Sequence, residues 1–183
     1  MPQLKIALVL GLAILLQLSL LSLPGIWTPV SYIDLPLIVV VYIALQREAW
    51  QALLVGTIAG ISIDATSGGL LGAGGFSKTL TAYVIYYAAT RVNLENALLR
   101  IPVLAAATAL DSAIYVFWHR SLGYAPQVPF VQTTSYRLIA TTVVGTVAFY
   151  LLDSYLTQQG SQRRQFATRR RVARRATGSL RRR

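Results

Sequence analysis

The sequence predicts an all-α, polytopic membrane protein with six transmembrane helices, and three observations carry that prediction. Apolar residue types make up 55% of the 183-residue chain and charged types only 13%, roughly half the charged share of an ordinary soluble domain. The apolar residues fall in long runs, and the charges gather between the runs or at the C-terminus. A hydrocarbon core of about 30 Å needs roughly 20 apolar helical residues to cross it, and Leu4–Leu23 supplies that length with one charge, Lys5, near its start. This pattern excludes a soluble fold.

The first helix is expected over Leu4–Leu23, closed by Pro24 and Gly25. A basic residue before an apolar run also describes a secretory signal. This run is longer than a signal core and lacks an A-x-A cleavage site, so it reads as a retained helix. The second helix, about Tyr32–Gln46, is short, and Pro36 fits its first turn, where a missing N–H costs nothing. Arg47 and Glu48 then make a tight polar turn. The third helix, about Trp50–Thr66, runs into a glycine-rich loop over 67–75. The fourth covers about Phe76–Thr90, the fifth about Ile101–Trp118 and the sixth about Thr134–Tyr155, with Pro126 and Pro129 in the loop between the last two. Lipid offers no partner to a stray backbone group, so each segment should be helical.

Basic residues in short loops set the orientation. A cytoplasmic N-terminus puts Lys5, Arg47, Arg91, Arg100 and the whole C-terminal tail inside. The net charge of +11 belongs to that tail: ten arginines and no acid lie between Gln158 and Arg183, whereas seven basic residues meet six acidic ones before it. The expected organisation is therefore a six-helix domain over 1–157 and an arginine-rich cytoplasmic tail over 158–183, disordered when free. Trp27, Tyr32, Tyr115, Trp118, Tyr124 and Tyr136 then cluster at the outer interface, with Trp50, Tyr87, Tyr150 and Tyr155 toward the inner one. This is the distribution of an aromatic belt, with a ligand cage as the second reading of a subset.

Three patterns carry information about sites. Gly56, Gly60, Asp64, Gly68 and Gly72 recur at every fourth position. The first three share one helix face, where glycine lets a neighbouring backbone approach closely. Gly68 and Gly72 fall at or beyond the helix end, as a cap or turn. The second pattern is a set of ionisable residues within the spans: Asp34, Asp64, Lys78, Asp111 and Arg137, all expected in the outer half of the membrane. Each such charge costs about 2.5–3.5 kcal/mol on insertion scales, so partners are expected. Asp64 and Lys78, joined by the glycine-rich hairpin, are the first pair to propose. The cluster reads either as ion pairs that hold helices in register or as a polar cavity or partner site. The third pattern is the tail, with Arg163, Arg164, Arg169, Arg170, Arg171, Arg174 and Arg175. It suits anionic lipid first, an acidic cytoplasmic protein second and nucleic acid least.

Signatures of catalysis and metal binding are missing from the sequence. It has no cysteine, a single histidine (His119), and no H-E-x-x-H, G-x-S-x-G or G-x-x-x-x-G-K-S/T pattern. No enzyme activity, cofactor or metal site is expected.

The glycine stripe of 56–72, followed by Ser77-Lys78-Thr79-Leu80 and Tyr83, resembles the MreD family of rod shape-determining membrane proteins. Asp34-Leu35, preceding an apolar helix that ends in Gln46-Arg47, is similar to the family's second helix. The resemblance covers about residues 4–156. Thr81-Ala82-Tyr83, where a glycine before the tyrosine is common, and the arginine tail depart from the pattern. The resemblance implies a non-enzymatic component of the bacterial elongation complex in the inner membrane. Its partners would be an MreC-like protein and, beyond it, MreB, RodA and the penicillin-binding transpeptidase. It also implies an architecture similar to the substrate-binding subunits of energy-coupling transporters. A vitamin-like small-molecule-binding subunit is accordingly the rival reading, with a lipid-precursor flippase as a third.

Overall fold

A computed structural model of the chain describes residues 2–22, 30–67, 70–92, 97–123 and 131–152. Among these residues there are six α-helices, one short 3-10 turn and no strand. They are α1 (Pro2–Ser22), the 3-10 turn Val30–Tyr32, α2 (Leu35–Leu45), α3 (Ala49–Ser67), α4 (Ala73–Arg91), α5 (Ala97–Ser121) and α6 (Val131–Leu152). The chain divides into two compact units, 1–146 and 147–183. Every contact discussed below lies within the first. Of the second, only the continuation of α6 through Leu152 is described.

Four helices contain segments long and apolar enough to cross a membrane: Gln3–Leu20, Ala49–Thr66, Leu99–Ser121 and Val131–Leu152. The other two fall short for different reasons. α2 has 11 residues, about 16 Å of helix, half of a hydrocarbon core. Asp34 caps its N-terminus by accepting the Leu37 N–H at 2.9 Å, and Pro36 occupies its first turn. Every residue from Pro36 to Ala44 is buried, because α2 packs against α1, α3, α4 and α5. A helix that is apolar all round is one surrounded by protein or lipid, and here the neighbours are protein. α4 is long enough at 19 residues, but its buried face consists largely of Gly74, Gly75, Ser77, Lys78 and Thr81, which lowers its apolarity.

The remaining helices turn their leucines and isoleucines outward, as a lipid-facing surface requires. Leu4, Leu8, Leu12 and Leu15 on α1 are exposed, as are Ile139 and Val143 on α6. α6 faces inward with Thr141 and Gly145, and a Cβ on Gly145 would run into Leu104 and Ile38. The most extensive helix contact among α1–α5 is between α3 and α4, and the glycines explain it. A Cβ on Gly56 would lie 3.0 Å from the Lys78 carbonyl oxygen and 3.1 Å from the Thr79 Cα, and one on Gly60 would overlap the backbone of Gly74 and Gly75. Thr57 and Thr79 bridge the same seam through their hydroxyls at 2.8 Å.

One expectation is corrected here. The glycine-rich loop is shorter than 67–75, because α4 already begins at Ala73 and takes Gly74 and Gly75 into its first turn. Gly72 lies in a turn beyond the end of α3, as its spacing suggests, and is the N-cap of α4, with φ 98°, a conformation that glycine adopts without steric cost. Gly68 lies outside the described residues, as do Trp27, Tyr124, Tyr155 and the arginines of the tail.

Candidate functional site: a buried charge network between four helices

The structure brings Asp34, Lys78, Asp111 and Arg137 together and leaves Asp64 out. Lys78 donates to Asp34 Oδ2 at 2.5 Å and to Asp111 Oδ2 at 3.2 Å. Arg137 pairs with the same Asp34 oxygen and with Asp111 Oδ2, the latter at 3.3 Å. Two carboxylates thus face two cations and the cluster is neutral. The side chains of Lys78, Asp34 and Asp111 are 4%, 8% and 2% exposed, whereas that of Arg137 is 26% exposed, so the arginine forms the open edge. A buried ion pair persists only when its remaining polar atoms are also satisfied, and here the second oxygens of both carboxylates are. Ser77 donates to the Asp111 carboxylate, and its hydroxyl lies 3.0 Å from the Asp111 backbone carbonyl. The second oxygen of Asp34 is committed to capping α2.

Each member arrives by a local rule. Asp34 is the α2 cap, so the requirement for an anion at a helix N-terminus and the requirement for a counter-charge to Lys78 are met by one side chain. Ser77 and Lys78 follow the glycines that press α4 onto α3. On α5, Leu104, Thr108 and Asp111 are all buried and share one face by their spacing. On α6, Arg137, Thr141 and Gly145 recur at every fourth position. Thr141 Oγ1 accepts the Asp34 N–H at 3.2 Å and sits 3.4 Å from the Tyr32 carbonyl oxygen. Gln17 of α1 accepts the Leu35 N–H at 3.0 Å. Tyr32 stacks on Tyr136 with ring centroids 5.6 Å apart, next to Arg137 in sequence.

Gly56, opposite Lys78, lies near the middle of the apolar stretch Ala49–Thr66, and Asp111 near the middle of Leu99–Ser121, whereas Lys78 itself lies in the second turn of α4.

Asp64 has a separate task. Among the described residues it makes no ion pair with Lys78, so the proposed Asp64–Lys78 pair is corrected. Its Oδ2 accepts the backbone N–H groups of Gly72, Gly74 and Gly75 at 2.9, 2.9 and 3.2 Å. These are orphan donors at the start of α4, and Asp64 reaches them because it sits one turn before the end of α3. Replacing Asp64 by alanine should destabilise the protein by about 1–3 kcal/mol, the usual cost of leaving buried donors unsatisfied. Asparagine, which keeps one acceptor oxygen, should cost less. Thermal unfolding of the two purified variants in detergent would order them wild type, Asn, Ala.

The glycine face is likewise closed. α4 of the same chain occupies the Gly56/Gly60 groove, the close backbone approach that the glycine spacing predicts, and leaves no room there for a partner helix. Sequence reasoning missed Gln17, Thr141 and Gly145. The four-residue spacing from Arg137 could have pointed to the last two, and a lone glutamine in an apolar helix to the first. Among the described residues no group of histidines or carboxylates could hold a metal ion.

The model of the family described as rod shape-determining protein MreD matches residues 2–158. The chain belongs to the MreD family. Its members are membrane proteins that determine rod shape, and the apolar helices agree with a membrane location for this one. No curated protein and no solved structure matches the chain. Within this MreD chain the match takes in all six helices, the charge network and the Gly56/Gly60 seam.

Proposed function

We propose that this MreD protein is a non-catalytic scaffold of the elongation complex in the bacterial inner membrane. It would bind an MreC-like protein and, through that assembly, MreB, RodA and the penicillin-binding transpeptidase. All six helices cross or enter the membrane with both termini cytoplasmic. The arginine-rich tail, 158–183, lies on anionic lipid. Family membership supports the role in shape. The observation that favours a scaffold over a transporter subunit is the mutual neutralisation of Asp34, Lys78, Asp111 and Arg137. A substrate site needs a polar group left free for its ligand, and each of these charges is already engaged in joining α2, α4, α5 and α6. Because the Gly56/Gly60 groove is filled from within, partners must engage outward-facing residues.

The deciding experiment is affinity purification of the tagged full-length chain from native membranes in mild detergent, with proteins and small molecules identified by mass spectrometry. An MreC-like protein in stoichiometric amount is the expected result. Paired ATPase subunits or a stoichiometric vitamin-like molecule would overturn the scaffold reading in favour of the transporter architecture.

A further inference from the structure

The turn between α2 and α3 contains the one non-glycine residue with positive φ among the described residues, Arg47 at φ 64°. The turn is tight: the Gln46 N–H donates to the Ile43 carbonyl at 3.0 Å and the Arg47 N–H to the Ala44 carbonyl at 3.2 Å, before the Ala52 N–H returns to Glu48 at 3.0 Å. A helix that ends this way favours glycine at the left-handed position, with asparagine next. An arginine there carries backbone strain and gives the turn nothing through its side chain. Gln46, Arg47 and Glu48 are all exposed, and among the described residues the Arg47 guanidinium meets no carboxylate.

Its surroundings indicate what it meets instead. Trp50, three residues on and at the start of the apolar stretch Ala49–Thr66, is 72% exposed. Tryptophan at the end of a span marks the headgroup boundary. Continuing the α3–α4 register set by Gly60 and Gly56 brings the turn level with the last turns of α4. There Arg91 is exposed and lies 5.2 Å from the centre of the Tyr87 ring. Among the described residues, two exposed guanidiniums stand against one exposed carboxylate, Glu48, at this boundary. A planar guanidinium at that level matches a phosphodiester in two-point fashion.

We propose that the Gln46–Glu48 turn is a binding site for the phosphate of an anionic phospholipid, with Arg47 as the donor and Trp50 against the glycerol region. This rests on the membrane placement proposed above and is independent of the partner reading, so a failed co-purification leaves it intact.

The test uses the full-length protein in zwitterionic micelles, following the midpoint of thermal unfolding as phosphatidylglycerol, phosphatidylcholine or inorganic phosphate is added at matched ionic strength. Wild type is compared with Arg47→Gly and Arg47→Asn, and the tail is common to all three. In the absence of anionic lipid both variants should unfold no lower than wild type, since each suits the left-handed turn. The phosphatidylglycerol concentration giving half of the stabilising shift should rise about fivefold, the worth of one basic residue at a lipid surface. Variants that keep the wild-type lipid response, or that unfold below wild type without lipid, would overturn the site. A shift reproduced by inorganic phosphate or by phosphatidylcholine would overturn the assignment to an anionic lipid.

Discussion

Replacing Gly60 by leucine is expected to remove the folded protein from the membrane and to round the cells that depend on it. At Gly60 the atoms a side chain would strike are the backbone of Gly74 and Gly75. Backbone cannot rotate away as a flexible side chain can, so α4 as a whole would have to retreat from α3. Overpacking of a well-packed core costs about 1–3 kcal/mol even where side chains adjust, against a total stability of about 5–15 kcal/mol for a folded domain. Retreat of α4 would also pull Lys78 from Asp34 and Asp111 and withdraw the N–H groups that Asp64 accepts. The loss should therefore reach the upper end of that range or exceed it. A graded series tests the mechanism. Gly56→Ala, where the nearest atoms stand at 3.0–3.1 Å, should weaken the protein less than Gly60→Ala. Gly11→Leu, with nothing within 4 Å of its added Cβ, should be neutral. Detergent-extracted yield and unfolding midpoints would establish the order. A Gly60→Leu protein with wild-type yield and stability would refute the account of this seam.

Much of this architecture is legible in the sequence because each helix has its own local signal. Among the described residues the expected spans agree with the six helices to within a few residues, since Pro24-Gly25, Arg47-Glu48 and the glycines after Ser67 interrupt the apolar runs plainly. The glycine stripe announced close packing in the same way. The pairing of the charges was not legible. Asp64 and Lys78 are close in sequence across one hairpin, and proximity suggested a bond between them. The antiparallel register of α3 and α4 instead puts Asp64 beside the Gly72–Gly75 backbone and Lys78 a turn deeper, opposite Gly56. Which carboxylates then meet Lys78 depends on how α2, α5 and α6 are arranged around α4, and no local pattern encodes that. The same holds for α2: its length is visible in the sequence, whereas its complete enclosure by neighbouring helices follows only from the packing.

The charge network makes the second large effect predictable, and with it a rescue. Lys78→Met should destabilise the protein by about 3–5 kcal/mol, the cost of stranding a buried counter-charge. Asp34 and Asp111 would then share Arg137 alone, leaving one uncompensated negative charge buried between the helices. The double variant Lys78→Met, Asp111→Asn restores neutrality, because Asp34 and Arg137 still pair and the asparagine oxygen can still accept from Ser77. If charge balance governs the site, the double variant should recover most of the lost stability, even though it carries more substitutions than the single one. Unfolding midpoints of the three proteins, with accumulation in membranes as an independent check, would decide it. Losses that simply add would mean that packing around Lys78 matters and charge balance does not. Asp111→Asn alone separates the structural role from transport. A structural network predicts a measurable loss of stability, because the remaining carboxylate cannot neutralise both Lys78 and Arg137. If the carboxylates instead relayed protons or ions across the membrane, the variant should be fully stable and lose only flux. The shared oxygens of Asp34 and Asp111, each held by both cations, argue for the first outcome: moving a proton onto either would unbalance two ion pairs at once.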